Sequence, residues 1–580
     1  MKNQNQTLLP TWCLPIFIAL LLLAQQMPVF AIKLPPIQKK EQPVTIKHSK
    51  DTAATHTIST KPAEKLQDSA QKAVTQGVEM QKKAVAIEQG GLFNLGWGKS
   101  ILLILCILFV CLFEFVNGFH DTANAVANVI YTNTYQPRTA VFLAGIMNFL
   151  GVMVSSIWGY KVAMGIINLL PVEILTSQNI GQSLAMIFSL LLTAIIWNLG
   201  TWYFGLPASS SHTLIGSILG VVLAYRYITN TVMDWHKAQE IGLALLFSPL
   251  FGFLMAILIM LLLRFLVKTP KKKRAAADLL GTATEEDAWA TESNIFKGAK
   301  EGKEPPRWIR YAMMVGSPGL AFAHGMNDGQ KGIGLMMVIL IGIAPTYFAI
   351  DASKNPADIL PNVQKVSTIF ARIDSTKLST KMQTEYGKTN RFLNHLQTQL
   401  ATINTLDDLP RENRFEIRKD IILAEKNIKK MVESGDLSLG AAEQDALKKE
   451  AVKMKVLTNY APTWVLVLIS LSLGIGTTIG WRRVVVTIGE KIGKNSLSYA
   501  QGFTADFMAM VTVTLATTFG LPVSTTHVLS SSVAGGFVAQ RGTKNLQKGT
   551  LRNILLAWVL TLPVTIVLAA ALYLTFRAIF

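Results

Sequence analysis

Long apolar runs alternate with short polar segments along most of the chain. The runs at 101–117, 139–158, 183–204, 241–267, 333–349, 463–480, 505–519 and 552–579 predict helices. Several reach the roughly 20 residues that a helix needs to cross a bilayer. Two polar blocks interrupt the series, at 268–310 and 350–460. The second has helical periodicity around 375–405, 409–434 and 437–457, which predicts a solvated helical subdomain. The expected fold class is an all-α polytopic membrane protein with about 10–12 membrane segments and a helical insertion.

Composition agrees with this pattern. Of the 580 residues, 16% are charged, where about 25% is usual for a soluble protein. The formal charge of +19 does not indicate nucleic acid, because the basic residues sit in the polar segments. Lys268, Lys271, Lys272, Lys273 and Arg274 follow one apolar run, and Arg307 and Arg310 precede the next. Arg482, Arg483, Lys491 and Lys494 mark a further basic loop. Short basic flanks of this kind lie on the cytoplasmic side. That places 268–310 inside and the insertion at 350–460 outside the cytoplasm. Residues 1–31, with Lys2, the apolar stretch Cys13–Ala24 and Val29-Phe-Ala31, read as a signal peptide or signal anchor. A polar extracytoplasmic extension follows at 32–97. The first transmembrane repeat is expected at 98–267, and the second at 311–349 and 461–580.

Three cysteines, Cys13, Cys106 and Cys111, lie in apolar segments, so no disulfide framework is expected. Gly96-Trp-Gly98-Lys99-Ser100 resembles a phosphate loop but has Phe93 where the first glycine belongs, and is rejected.

Two motif pairs carry the chemistry. Gly205-Leu-Pro-Ala-Ser-Ser-Ser-His212 matches Gly520-Leu-Pro-Val-Ser-Thr-Thr-His527, and Gly118-Phe-His-Asp121 matches Gly325-Met-Asn-Asp328. From Asp121 to Pro207 is 86 residues and from Asp328 to Pro522 is 194; the excess of 108 is close to the size of the insertion. The second half is the first with a subdomain spliced in. Spacing leaves the halves parallel or inverted.

Hydroxyl triplets behind a proline suggest helices that start inside the membrane, with free N–H groups and a positive dipole end that suit an anion. Ser209, Ser210, Ser211, Ser524, Thr525 and Thr526 are the candidate anion ligands. The competing reading is close helix packing through small polar residues. Asp121 and Asp328 are intramembrane carboxylates, functional candidates by default. They are compatible with a bound anion only if a proton or cation joins it. Hydroxyls beside carboxylates favour phosphate, which donates a hydrogen bond, over sulfate. His120, His212, His324 and His527, half of the eight histidines, are candidates for proton relay or metal contact.

At these residues the chain resembles the inorganic phosphate transporter (PiT) family, in particular the bacterial Pit-type permeases. The strings that carry the resemblance are Glu114–Asn128, Trp197–Thr213, Phe322–Gly332 and Pro522–Ser532. The resemblance covers about residue 100 to the C-terminus. It implies two inverted repeats with broken or re-entrant helices and a site at the midplane. It implies import of inorganic phosphate, as a neutral complex with Mg2+ or another divalent cation, by proton symport. No cofactor and no enzymatic activity are expected. By motif position, Asp121 and Asp328 are the essential carboxylates and metal candidates, Asn124 and Asn327 the amide ligands, and the triplets hold phosphate. Sodium-coupled members carry Gly-x-Asn-Asp in both halves with Asn three residues later. His120 replaces the first of these residues and Lys331 the last, so Lys331, paired at i, i+3 with Asp328, is expected to stand in for a sodium ion. The competing expectation is that Lys331 snorkels to the interface. The alternatives are a Na+-coupled phosphate symporter, a sulfate or other oxyanion permease, and a phosphate-sensing or scaffold membrane protein. The expected setting is the inner membrane of a bacterium, with the lipid bilayer and phosphate as partners and a homodimer as the expected association.

Overall fold

The computed structural model describes residues 97–171, 180–230, 235–267, 294–298, 306–435 and 437–580. The expected signal at 1–31, the extension up to 96 and most of the basic loop at 268–310 lie outside the described residues. The chain divides into two units, Met1–Ile104 and Leu105–Phe580. Of the first unit only the opening turns of a helix beginning at Trp97 are described.

The other described residues belong to the second unit, and its regular elements are all helices. The first half contains α1 (Trp97–Tyr131), α2 (Pro137–Ser155), α3 (Lys161–Ile167), α4 (Ile180–Tyr203), α5 (Ser210–Thr229) and α6 (Trp235–Leu266). α7 (Arg307–Ile343) and α8 (Pro345–Phe348) precede an insertion made of α9 (Pro356–Phe370), α10 (Thr380–Ala401), α11 (Arg411–Ser434) and α12 (Ala441–Met454). The chain then resumes with α13 (Thr463–Thr477), α14 (Arg482–Glu490), α15 (Tyr499–Thr518), α16 (Thr525–Arg541) and α17 (Lys548–Ile579). No strand forms among the described residues; only isolated bridges join Gly298 to Ser498 and Gly493 to Leu546.

Among the described residues, six helices are long and apolar enough to cross a membrane, and a seventh span exists if α13 and α14, bent by 64°, count as one. α7, α15 and α16, which carry site residues, are not among the six. On α6 and α17, Leu246, Phe247, Phe265, Val559 and Val567 are all more than half exposed. Large apolar side chains exposed in this way fit lipid rather than water as solvent.

The repeat is visible where backbones touch. A Cβ on Gly118 of α1 would collide with the Leu473 carbonyl of α13, and one on Gly325 of α7 with the Asn148 carbonyl of α2. Gly151 closes in the same way on the Phe322 carbonyl, and Gly476 on that of Phe115. Further on, Gly220 of α5 abuts the Ile566 carbonyl of α17, and Gly535 of α16 abuts that of Phe253 in α6. Each half therefore lends the other the same surfaces, at equivalent positions.

The insertion has its own apolar core, which includes Ile359, Val363, Phe370, Leu393, Ile421 and Met431. Its start and end are tied together: Asp351 N–H donates to Leu457 O at 2.9 Å, and buried Arg418 donates to both Ala349 O and Thr458 O at 3.1 Å. Burial pulls the Arg418 guanidinium down to about 10. Three of its helices match the expected periodic stretches; α9 does not. Pro356 and Pro361 read as breakers, yet Pro356 occupies the first turn and Asn355 caps the helix, accepting from Ala357 N–H at 2.9 Å.

Candidate functional site

The two acids lie in unbroken helices. Asp121 is inside the 35 residues of α1 and Asp328 inside the 37 of α7, both buried. Of the two motif pairs, it is the Gly-Leu-Pro strings that break a helix. Gly205 and Gly520 take left-handed φ values of 66° and 73°, which terminate α4 and α15 as glycine does best. Neither proline enters the following helix. Ser209 and Ser524 are the N-caps of α5 and α16, accepting from His212 N–H and His527 N–H at 3.1 Å each. The first hydroxyl of each triplet is thus spent on its own helix.

The halves meet at the acids. Ser210 donates to Asp121 Oδ2 at 2.8 Å and to Asp328 Oδ2 at 3.3 Å, while Thr526 donates to Asp121 Oδ1 at 2.9 Å. Asn124 Nδ2 donates to Thr526 Oγ1 at 2.8 Å, and Asn327 Nδ2 to Thr517 Oγ1 at 2.9 Å. Ser211 donates to the Val523 carbonyl at 2.7 Å. Thr525 is the exception: its buried hydroxyl has no partner among the described residues. One carboxylate oxygen from each acid and a His324 nitrogen lie within 4.8 Å of one another, a constellation suited to a metal ion.

The expected cations are at the same place. Lys331 Nζ lies 2.6 Å from Asp328 Oδ1 and donates to Ser211 Oγ at 2.5 Å. The lysine is 1% exposed, so it pairs and does not snorkel. His120 Nδ1 is 3.0 Å from Asp121 Oδ1, with its Nε2 3.2 Å from Thr201 Oγ1. His324 Nε2 stands between the acids, 3.6 Å from Asp121 and 3.4 Å from Asp328. His212 and His527 face each other with ring centroids 4.4 Å apart, and His527 also stacks on Trp558 at 4.0 Å. Apart from Thr525, the sequence-derived site residues therefore fall in or against one polar cluster.

A family model for phosphate transporters matches residues 117–569. The chain belongs to the phosphate transporter family. It is similar to the low-affinity inorganic phosphate transporter PitA of Escherichia coli (strain K12), 42% identical over 502 residues that cover 82% of this chain and 96% of PitA. It is 40% identical to PitB of the same organism over the same shares. A probable low-affinity inorganic phosphate transporter of Bacillus subtilis (strain 168) is 26% identical over 484 residues, covering 83% of this chain and all of that protein. A solved structure, described as the sodium-dependent phosphate transporter, covers 83% of this chain and all of its own at 20% identity and a TM-score of 0.44.

In this family member, sequence reasoning missed two buried acids. Glu114 stands inside the resemblance-bearing string of α1 but was given no role of its own. Among the described residues its side chain accepts one hydrogen bond, from Asn117 Nδ2 at 3.3 Å, and Oε1 has no partner. Asp506, on α15, accepts from Asn128 Nδ2 at 2.6 Å and leaves Oδ2 unpaired. Each was hidden by isolation: neither belongs to a repeated motif. The structure also shows a cavity of about 750 Å³ that borders Gly520 and the insertion. Lys161, Lys237, Lys354, Lys453 and Lys455 line it, against Asp358 as the one acid.

Proposed function

We propose that this protein imports inorganic phosphate by proton symport, through alternating access around the Asp121–Asp328 cluster. The observation that carries the reading is Lys331, whose ammonium bridges Asp328 and the hydroxyl of Ser211. A cation built into the chain occupies the seam between acid and anion ligands where a mobile sodium ion would otherwise be needed. Protons are then left as the coupling ion.

The helix starts at Ser210 and Thr525 aim N–H groups and hydroxyls at one place from two sides, which suits an oxyanion. Thr525, with no protein partner, is the hydroxyl most free to donate to it. The oxygens of Asp121 and Asp328 with His324 suit a divalent cation carried with phosphate as cargo. Carriage as a metal–phosphate complex follows from that pairing. Charge regulates the cycle: a dry site with two carboxylates pays heavily for a further anion unless protons or metal accompany it. The loaded site is the one free to reorient between the repeats. The lysine-rich cavity beside Gly520 is the approach route, concentrating phosphate on the side of the insertion. That side is the periplasm, with the protein in the inner membrane.

Labelled phosphate uptake into proteoliposomes tests the reading, with pH, Na+ and Mg2+ gradients imposed one at a time. Uptake that follows the pH gradient and is stimulated by Mg2+ is the expected result. Uptake that follows only the Na+ gradient overturns it.

A further inference from the structure

We infer that Glu114 is the carboxyl that carries the co-transported proton, a role that rests on the proton-symport reading above. Glu114 lies seven residues before Asp121 on α1, two helical turns and about 10 Å along the axis on the same face. It is 0% exposed. Its Oε1 has no hydrogen-bond partner, and neither has the Oδ1 of Asn117, the one residue that bonds it. Cys111, one turn before Glu114, interacts with both Glu114 and Ser472 of α13. Two buried polar oxygens of α1, Glu114 Oε1 and Asn117 Oδ1, are thus left without partners among the described residues.

The opposite wall is shaped to receive it. Gly332 of α7 faces Glu114 so closely that any Cβ there would overlap its Oε1, Cγ and Cδ. The carboxyl therefore sits directly against α7, next to Lys331. The charged groups that face it are His324, Asp328 and Lys331 of α7, and its own helix adds Asp121 two turns on. The central acids are engaged: Asp121 by His120, Ser210 and Thr526, Asp328 by Lys331 and Ser210. Glu114 is the carboxyl in this group that no cationic side chain bonds.

The step is a simple protonation. A proton from the outer solution binds Glu114 Oε1 as phosphate loads, converting carboxylate to carboxylic acid. The same O–H bond breaks on the inner side after phosphate leaves. With Lys331 balancing one of the two aspartates, neutral Glu114 spares the loaded site an additional buried charge. The empty carrier, with Glu114 ionised again, completes the return.

Net uptake and exchange separate this role from a structural one. Exchange of labelled external for unlabelled internal phosphate at equal pH uses only the loaded carrier, whereas net uptake requires the proton to leave. In proteoliposomes, Glu114→Gln should lose net pH-driven uptake by at least about 100-fold while its exchange stays within about threefold of wild type. Glu114→Asp should recover pH-driven uptake. Wild-type net uptake in Glu114→Gln overturns the inference, as does an equal loss of both modes in a variant with an unchanged melting temperature. Wild-type protein whose uptake ignores the pH gradient overturns the symport reading itself, a result distinguishable from either.

Discussion

Replacing Lys331 by Met removes one buried ammonium and keeps most of its volume. The lysine holds Asp328 at 2.6 Å and Ser211 at 2.5 Å, and both members of the ion pair are 1% exposed. Breaking a buried pair by deleting one partner costs about 3–5 kcal/mol, because the other charge is left uncompensated. His324, 3.4 Å from Asp328, takes up part of that loss, as does the hydroxyl of Ser210. The lower end of the range, about 3 kcal/mol, is therefore expected; it corresponds to about two orders of magnitude in an equilibrium constant. In detergent, Lys331→Met should melt well below wild type, and in proteoliposomes it should take up phosphate about 100-fold more slowly. The double variant Lys331→Met with Asp328→Asn removes the stranded charge and should regain most of the melting temperature, though not the uptake. A single variant as stable as wild type would refute the reasoning, and so would a double variant no more stable than the single.

Lys331→Asn restores the residue that sodium-coupled members carry and should make uptake respond to a Na+ gradient, read by labelled phosphate in proteoliposomes. Thr525→Ala deletes a hydroxyl with no protein partner, so the apparent KM for phosphate should rise severalfold while the melting temperature holds. Ser524→Ala removes a helix cap instead and should cost about 1 kcal/mol of stability. The joint change of Lys354, Lys453 and Lys455 to Gln should raise KM at low ionic strength and leave it unchanged at high salt, because steering is screened. An effect of equal size at both salt concentrations would rule out the approach route. Gly118→Ala and Gly325→Ala, which meet carbonyls at equivalent positions, should destabilise the protein to similar extents in a thermal melt.

Much of this was legible in the sequence because the repeat wrote it twice. The Gly-Leu-Pro strings, the hydroxyl triplets and the two aspartates recur in order, and their duplication singled them out from single polar residues that merely pack. Lys331 was legible for a different reason: at i+3 from Asp328 on one helix, contact follows from local geometry. Three things were not legible. Continuity of α1 and α7 through their acids was hidden because the apolar runs stop at 117 and start at 333, whereas tertiary hydroxyls satisfy the aspartates inside the helices. The first insertion helix was hidden by Pro356 and Pro361. The partners of Glu114 and Asp506 come from α7, α13 and α1, hundreds of residues away in some cases, and no spacing rule reaches that far.

The two halves agree in backbone and differ in charge, and that division locates the coupling. A shift of 207 residues carries Phe115, Gly118 and Asp121 onto Phe322, Gly325 and Asp328 with no change of residue type. The same shift carries Glu114 onto Ala321, Asn117 onto His324, His120 onto Asn327 and Asn124 onto Lys331. Positions that set helix contact are therefore kept, because a Cβ at Gly118 or Gly325 would collide with a neighbouring carbonyl. Positions that set charge have diverged, and they have done so in opposite senses. The first half has the additional acid, and the second has the lysine and the histidine that stands between the aspartates. A symmetric cradle suffices to hold an anion from two sides, but net transport requires the loaded and empty carriers to differ in charge. The ionisable residues without a counterpart, Glu114 and Lys331 foremost, are the groups able to make that difference, and they meet across the packing of α1 against Gly332.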